Sequence, residues 1–177
     1  MLDRPCILVG MPGVGKTTIG RRLASRLGVD LVDLDAVIEA EIGCTIREYF
    51  AQHGEAAFRD IEADKLKRVL TAAAPCVLST GGGAVLRPGN RETLREHGTV
   101  IYLRTSPDHL AHRLKNDTKR PLLQGGDMLQ KLKDLYAVRD PLYREAAHHV
   151  VDTQRGSVAT VANHIAMQLN MNELGSE

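Results

Sequence analysis

The sequence predicts an α/β fold in which a parallel sheet carries helices on both faces. Short apolar runs alternate along the chain with segments whose apolar residues recur at helical spacing. Such alternation favours parallel pairing, because a crossover helix returns the chain to the end of the sheet from which it left. The chain has 177 residues, 43% of them hydrophobic, enough to bury a core in a single domain spanning 1–177.

The elements follow in order. The run "PCILVG" (5–10) is short, apolar and ended by glycine, and reads as a buried strand. In "KTTIGRRLASRLG" (16–28), Ile19, Leu23 and Leu27 share one helical face and Gly28 is the stop. "VDLVDLD" (29–35) reads as a second strand, and "AVIEAEIG" as a short helix closed by Gly43. The stretch from Thr45 to Ala74 is helical, with an interruption near His53-Gly54. "PCVLST" (75–80) is a third strand that runs into three glycines. A helix through "NRETLREHG" leads to a fourth strand, "TVIYLR" (99–104). In "SPDHLAHRLKN", Ser106 is a helix N-cap and Pro107 occupies the first turn. Residues 117–127 are polar, glycine-rich and loop-like. A helix then runs from Met128 to Pro141, which is expected to break it. "HHVVDT" is the fifth strand and "SVATVANHIAMQLNM" the closing helix, followed by a frayed tail.

Composition narrows the function. The net charge is +1 and the chain has no Trp, two Phe and four Tyr, so neither a basic nucleic-acid footprint nor a stacking platform is expected. Three cysteines, Cys6, Cys44 and Cys76, show no C-x-x-C spacing and read as reduced thiols, which suits a cytoplasmic chain. The apolar run at the start is too short for a signal peptide and no run is long enough to cross a membrane, so no membrane partner is expected. His109 and His112 stand three apart on a helix, but no Cys or acid completes a zinc set with them.

The chemistry concentrates at the first strand–helix junction. Gly10, Gly15, Lys16 and Thr17 match G-x-x-x-x-G-K-[ST], placed between a strand and a helix as a P-loop requires. The backbone N–H groups from Gly13 through Val14, Gly15, Lys16 and Thr17 to Thr18 are expected to wrap a nucleotide phosphate. Lys16 is expected to bridge the β- and γ-phosphates and Thr17 to hold Mg²⁺. "PCVLST" ends without the acid that usually assists the metal, and no guanine signature is present. Asp33 is the nearest substitute.

In "DLD", a period of two would put Asp33 and Asp35 on one side of an extended strand, facing the ligand crevice. Taken alone, the pair reads as a helix N-cap followed by a solvated acid. Arg59 sits in "FRDIE", within a helix whose apolar residues are spaced for a core. Gly81, Gly82 and Gly83 follow the third strand, where bare backbone can approach a ligand closely. Arg120 lies in the glycine-rich loop, and Arg139 just ahead of Pro141.

Together these motifs resemble the shikimate kinases. The D-x-D of Asp33 and Asp35, the F-R-x-x-E of Phe58, Arg59 and Glu62, the G-G-G of 81–83, the R-P-L-L from Arg120 and the R-x-P-x-Y-x-E-x-A from Arg139 occur in that family's order, over residues 5 to 170. The resemblance implies a five-stranded parallel sheet of order 2-3-1-4-5 with a mobile lid at about 112–126 and substrate-binding helices at about 34–62. It implies transfer of the ATP γ-phosphate to the 3-hydroxyl of shikimate, with one Mg²⁺, as a step of aromatic amino-acid synthesis. By that match Asp35, Arg59, Gly82 and Arg139 contact shikimate, and Arg120 covers ATP. Thr17 and Asp33 serve the metal, and Asp35, Lys16 and Arg120 form the catalytic set. Where the family often has a polar or basic residue near adenine, this chain has Gly156 beside Arg155, so a backbone contact is expected there. The expected partners are shikimate and ATP alone, and the expected state a monomer. Two alternatives remain: a gluconate-kinase-like enzyme, which shares the P-loop and general architecture, and a non-catalytic ligand sensor of the same fold.

Overall fold

The structure is a computed structural model and describes residues 2–72, 74–115 and 127–174. Its strands are β1 (Cys6–Val9), β2 (Asp30–Asp33), β3 (Cys76–Ser79), β4 (Thr99–Arg104) and β5 (His149–Asp152). They form one sheet of order β2-β3-β1-β4-β5, every neighbouring pair parallel. Its helices are α1 (Lys16–Leu27), α2 (Leu34–Ile42), α3 (Ile46–Thr71), α4 (Pro88–His97), α5 (Pro107–Leu114), α6 (Met128–Ala146) and α7 (Val158–Leu174).

The central strands β1, β3 and β4 are mostly apolar because both faces of the sheet are covered there. Along β1, Cys6 and Leu8 point to a layer made with Ile19 and Leu23 of α1 and Ile165 of α7. Ile7 and Val9 point the other way, to Leu34 and Ile38 of α2, Leu66 of α3, Leu94 of α4 and Tyr143 of α6. The alternation recurs along β4, with Ile101 and Leu103 on the first face and Val100 and Tyr102 on the second. All eight of these strand residues are fully buried.

The two faces fix where a ligand can sit. The connection after β1 passes through α1 on one face, whereas the connection after β3 passes through α4 on the other. Between β1 and β3 the chain therefore parts, leaving a crevice beyond their carboxyl ends, the usual ligand position in open α/β sheets.

Two elements differ from the sequence reading. Helix α6 continues through Pro141 instead of stopping there. A proline forfeits its own N–H bond and crowds the preceding turn, but Leu132 and Arg139 before it and Tyr143 and Ala146 after it are all buried, anchoring both halves. The second strand ends at Asp33, not at residue 35. The Asp33 carboxylate accepts from the N–H groups of Asp35 at 3.1 Å and Ala36 at 3.3 Å, so it caps α2 and Asp35 falls in that helix's first turn. The expected interruption of α3 is present at Gly54, whose φ of 82° and ψ of 171° are not helical.

Gly98, between α4 and β4, tests the packing of the sheet's first rung. A Cβ there would lie 2.8 Å from the Pro5 carbonyl oxygen and closer still to the Ile7 side chain. That carbonyl accepts the Thr99 N–H at 2.8 Å. Gly98→Ala is expected to cost about 1–3 kcal/mol and to lower the thermal midpoint by several degrees. An unchanged melting curve would show that this corner yields freely.

Candidate active site

The loop between β1 and α1 is shaped by its glycines. Gly13 and Gly15 have φ of 84° and 101°, a region closed to most side chains. A Cβ on Gly10 would stand 2.6 Å from the Leu103 carbonyl oxygen. No side chain caps α1 and no acid lies in its first turn, so its positive end is left to a ligand. Lys16 is buried, and its ammonium donates to the carbonyls of Gly10 at 2.7 Å and Met11 at 3.0 Å.

Thr17, Asp33 and Ser79 meet at the start of that helix. The Thr17 hydroxyl donates to Asp33 Oδ2 at 3.3 Å and lies 3.1 Å from the Ser79 hydroxyl. One carboxylate thus fills both sequence-based roles, capping α2 through Oδ1 and facing Thr17 through Oδ2. Ser79 stands at the end of β3, where a conventional P-loop enzyme carries an acid.

The three glycines after β3 each carry a different site residue on their bare face. A Cβ on Gly81 would lie 2.8 Å from Asp35 Oδ1 and 3.4 Å from Glu62 Oε2. On Gly82 it would lie 2.9 Å from Pro12 and 3.1 Å from Arg139 Nη1. On Gly83 it would overlap the Arg59 guanidinium outright. The strip is therefore glycine because Asp35, Arg139 and Arg59 occupy the space that side chains would fill.

Its two arginines are held differently. Arg59 is buried, donating through Nη1 to Glu62 at 3.0 Å and through Nη2 to Glu55 at 3.2 Å. The rings of Phe50 and Phe58 lie 5.8 and 5.2 Å from its guanidinium carbon. Arg139 is equally buried, but no carboxylate among the described residues forms an ion pair with it. The Glu62 carboxylate feels its charge from a distance, but a buried cation without a contacting carboxylate is costly and favours an anion. Burial pushes the Asp35 carboxyl above its ordinary range, opposed by the nearby Lys16 charge and reinforced by Asp33 and Glu39. Burial likewise raises Glu62, against the pull of Arg59, and Glu62 Oε2 is a buried acceptor without a hydrogen-bond partner among the described residues.

On the far side of the glycine loop lies a cleft of about 270 Å³ lined by Gly15, Thr18, His109, Arg113, Gln154 and Gly156, among others. Arg113 also donates to the Val14 carbonyl at 3.2 Å, which ties α5 to the loop. Gly156, with φ of 97°, lines the cleft, whereas Arg155 does not. Arg120 and residues 116–126 of the expected lid lie outside the described residues.

The profile of the shikimate kinase family matches residues 12–170. The chain belongs to that family. It is 52% identical over 166 residues to a shikimate kinase of Paracidovorax citrulli, covering 93% of this chain and 91% of the relative. A solved shikimate kinase of Acinetobacter baumannii in complex with shikimate superposes with a TM-score of 0.91 at 42% identity, covering 97% of this chain and 95% of the other. A gluconokinase of Sinorhizobium meliloti superposes with a TM-score of 0.61 at 16% identity over 99% of both chains, which shows a shared fold and nothing more.

The site brings Asp35, Arg59, Gly82 and Arg139 together around one strip of backbone, with Lys16, Thr17 and Asp33 adjoining. Sequence reasoning passed over Ser79, Arg113 and Glu62 as site residues. Glu62 was findable, because a carboxylate three positions after Arg59 shares its helical face. Ser79 gave no signal beyond the missing acid, and Arg113 had none.

The unequal pairing of the two arginines predicts unequal effects on stability. Arg59→Ala strands a buried Glu62 and is expected to cost about 3 kcal/mol, read as a lowered thermal midpoint. The loss should be smallest in acid, where Glu62 is protonated both folded and unfolded, and grow as pH rises past its ordinary range. Arg139→Ala breaks no ion pair among the described residues, so its loss should be clearly smaller. Equal losses in the two variants would mean that Arg139 is held as tightly as Arg59.

Proposed function

We propose that this member of the shikimate kinase family binds shikimate through Arg59 and Arg139 and phosphorylates it at the P-loop. The reaction moves the ATP γ-phosphate to the 3-hydroxyl. That oxygen bonds to phosphorus as the bond to the β-bridging oxygen breaks, giving shikimate 3-phosphate and ADP. The observation that carries the reading is Arg139, a buried guanidinium without an ion-pair partner among the described residues, set on the same glycine strip as Arg59. A small carboxylate supplies the missing charge, and two guanidiniums can fix its plane.

Each remaining residue then has work to do. Asp35 accepts the hydrogen bond of the reacting hydroxyl and orients it, which is enough for a loose phosphoryl transition state that needs little base strength. Lys16 leaves the carbonyls of Gly10 and Met11 for the β- and γ-phosphate oxygens, and the amides from Gly13 to Thr18 hold the phosphates. The base and ribose occupy the cleft between Arg113 and Gly156, with the backbone of the 153–157 loop as its wall. Arg120 completes the charge on the transferring group from a lid at 112–126, and residues 34–62 supply the acceptor side.

The oxygens of Thr17 and Asp33 suit Mg²⁺, a hard cation that takes few protein ligands beside phosphate and water. When bound, it neutralises charge on the phosphates. We take the enzyme to act as a monomer. Among the described residues no helix is long and apolar enough to cross a membrane. We place the enzyme in the cytoplasm, where ATP is available.

Release of ADP should depend on shikimate and not on gluconate; equal rates with either acceptor, or with none, would remove the assignment. By calorimetry, Arg59→Ala and Arg139→Ala should each weaken shikimate binding about 10- to 150-fold, the range for losing a charge-assisted hydrogen bond, with ATP affinity unchanged. Unaltered shikimate binding in both variants would make these arginines structural.

Lys16→Met and Asp35→Asn address the chemical step. Lys16→Met should collapse kcat in a folded protein, and near-normal turnover would defeat the P-loop role. Asp35→Asn should still bind shikimate while kcat falls. Because burial raises the Asp35 carboxyl, it gains its proton at higher pH than an ordinary carboxylate. The wild-type rate should therefore begin to fall on acidification above the usual carboxylate range. If that acid limb is unchanged in Asp35→Asn, it belongs to another group.

A further inference from the structure

We propose that Tyr143 is a positioning residue for the acceptor, its hydroxyl locking Arg139 to the glycine strip. The inference rests on the reading above, in which Arg139 holds the substrate carboxylate.

Tyr143 is fully buried, and its hydroxyl donates to the Gly82 carbonyl at 2.6 Å, a short bond across 61 positions of chain. Arg139 lies four positions earlier on α6, one turn away on the same helical face. Burial pushes the Tyr143 phenol up to about 12, and the charge and hydrogen bonding of the Arg139 guanidinium act against that rise. The phenol oxygen gives its proton to the Gly82 carbonyl and lies close enough to the Arg139 guanidinium to feel its charge. Gly82 is in turn the glycine whose bare face meets Arg139 Nη1. Helix, arginine and glycine strip thus meet at Gly82.

That joint matters because no carboxylate among the described residues forms an ion pair that would fix the guanidinium. Arg59 has Glu62 and Glu55 to hold it, whereas Arg139 has no ion-pair partner among the described residues. A long side chain with no partner keeps its rotamer freedom, which a ligand must then remove. The hydroxyl removes much of it beforehand. The ring stays supported either way: it packs against Tyr102 at 5.0 Å between centroids, and the Tyr102 hydroxyl donates to Asp140, beside Arg139, at 2.7 Å.

The test is a double-mutant cycle read by calorimetry. Tyr143→Phe keeps the ring and deletes the joint, so the Kd for shikimate should rise about tenfold, the effect of one buried hydrogen bond, while the Kd for ATP holds. On an Arg139→Ala background the same change should cost shikimate binding nothing further. Equal losses in both backgrounds, or none in the wild type, overturn the proposal. If Arg139→Ala alone leaves shikimate binding intact, the carboxylate grip is wrong and this inference falls with it. Should Tyr143→Phe not fold, fluorotyrosine in the wild-type chain gives a second reading by ¹⁹F NMR. The Tyr143 signal should move when shikimate is added and stay put in Arg139→Ala, and a signal indifferent to shikimate in the wild type overturns the proposal.

Discussion

Arg59, Arg139, Asp35 and Glu62 all pack on three residues of backbone that have no side chains. The other features of the site follow from that constraint. Bare α-carbons at 81–83 let two guanidiniums and two carboxylates approach the end of β3 closely enough to surround a ligand of a few atoms. A single methyl group at Gly83 would occupy the position of the Arg59 guanidinium. The strip is held rigid from behind, through the Gly82 carbonyl by Tyr143 and through the Ala84 carbonyl by Asn90 at 3.0 Å. Freedom from side chains does not mean freedom to move.

The sheet order supplies the other half of the arrangement. Because β1 and β3 are neighbours whose following helices lie on opposite faces, the phosphate loop and the glycine strip open side by side. The Thr80 hydroxyl bonds the Leu8 carbonyl at 2.8 Å and clamps the two strand ends together. On the proposed assignment, a donor phosphate on one loop and an acceptor on the other are brought into reach by the scaffold itself, which is the larger share of what a phosphoryl-transfer enzyme must supply.

The strands and helices were legible because their signals are local and mutually consistent. Both faces of each central strand are buried, giving short apolar runs, and Ser106 caps α5 by accepting the His109 N–H at 3.2 Å as its position suggests. What the sequence misplaced depends on competition or on distance. Asp35 looked like a strand residue because alternation continues through "DLD", yet one carboxylate bonding two amides outweighs extension and turns the chain into α2. The pairing survived for a different reason than the one inferred: Asp33 faces Thr17 and Asp35 faces Gly81 from successive elements, not from one side of a strand. Pro141 looked like a stop, but burial on both sides of it outweighs one lost hydrogen bond. The nucleotide-side wall, with Arg113 and His109, arises from packing α5 beside the loop and leaves no trace in either segment's own pattern.

The unequal treatment of the two arginines is itself a solution to a physical conflict. A recognition site needs its cations fixed in advance, and it needs them unsatisfied so that binding is favourable; a partnered arginine meets the first need and an unpartnered one the second. Arg59 is fixed by Glu62 and by two phenyl rings, so it contributes geometry at the expense of part of its charge. Arg139 forms no ion pair among the described residues and, on the proposal above, is oriented by Tyr143 one helix turn away and by the glycine strip that Tyr143 holds. Placing a second carboxylate on Arg139 would remove the attraction for an incoming anion, and removing the one on Arg59 would leave both cations loose and repelling each other. Burial holds the Asp35 and Glu62 carboxyls above their ordinary range, and the charges of Lys16, Arg59 and Arg139 oppose that rise. On the proposed reading, a carboxylate-bearing acceptor is drawn to Arg139 before any contact with the reacting hydroxyl is made, and a neutral polyol is not.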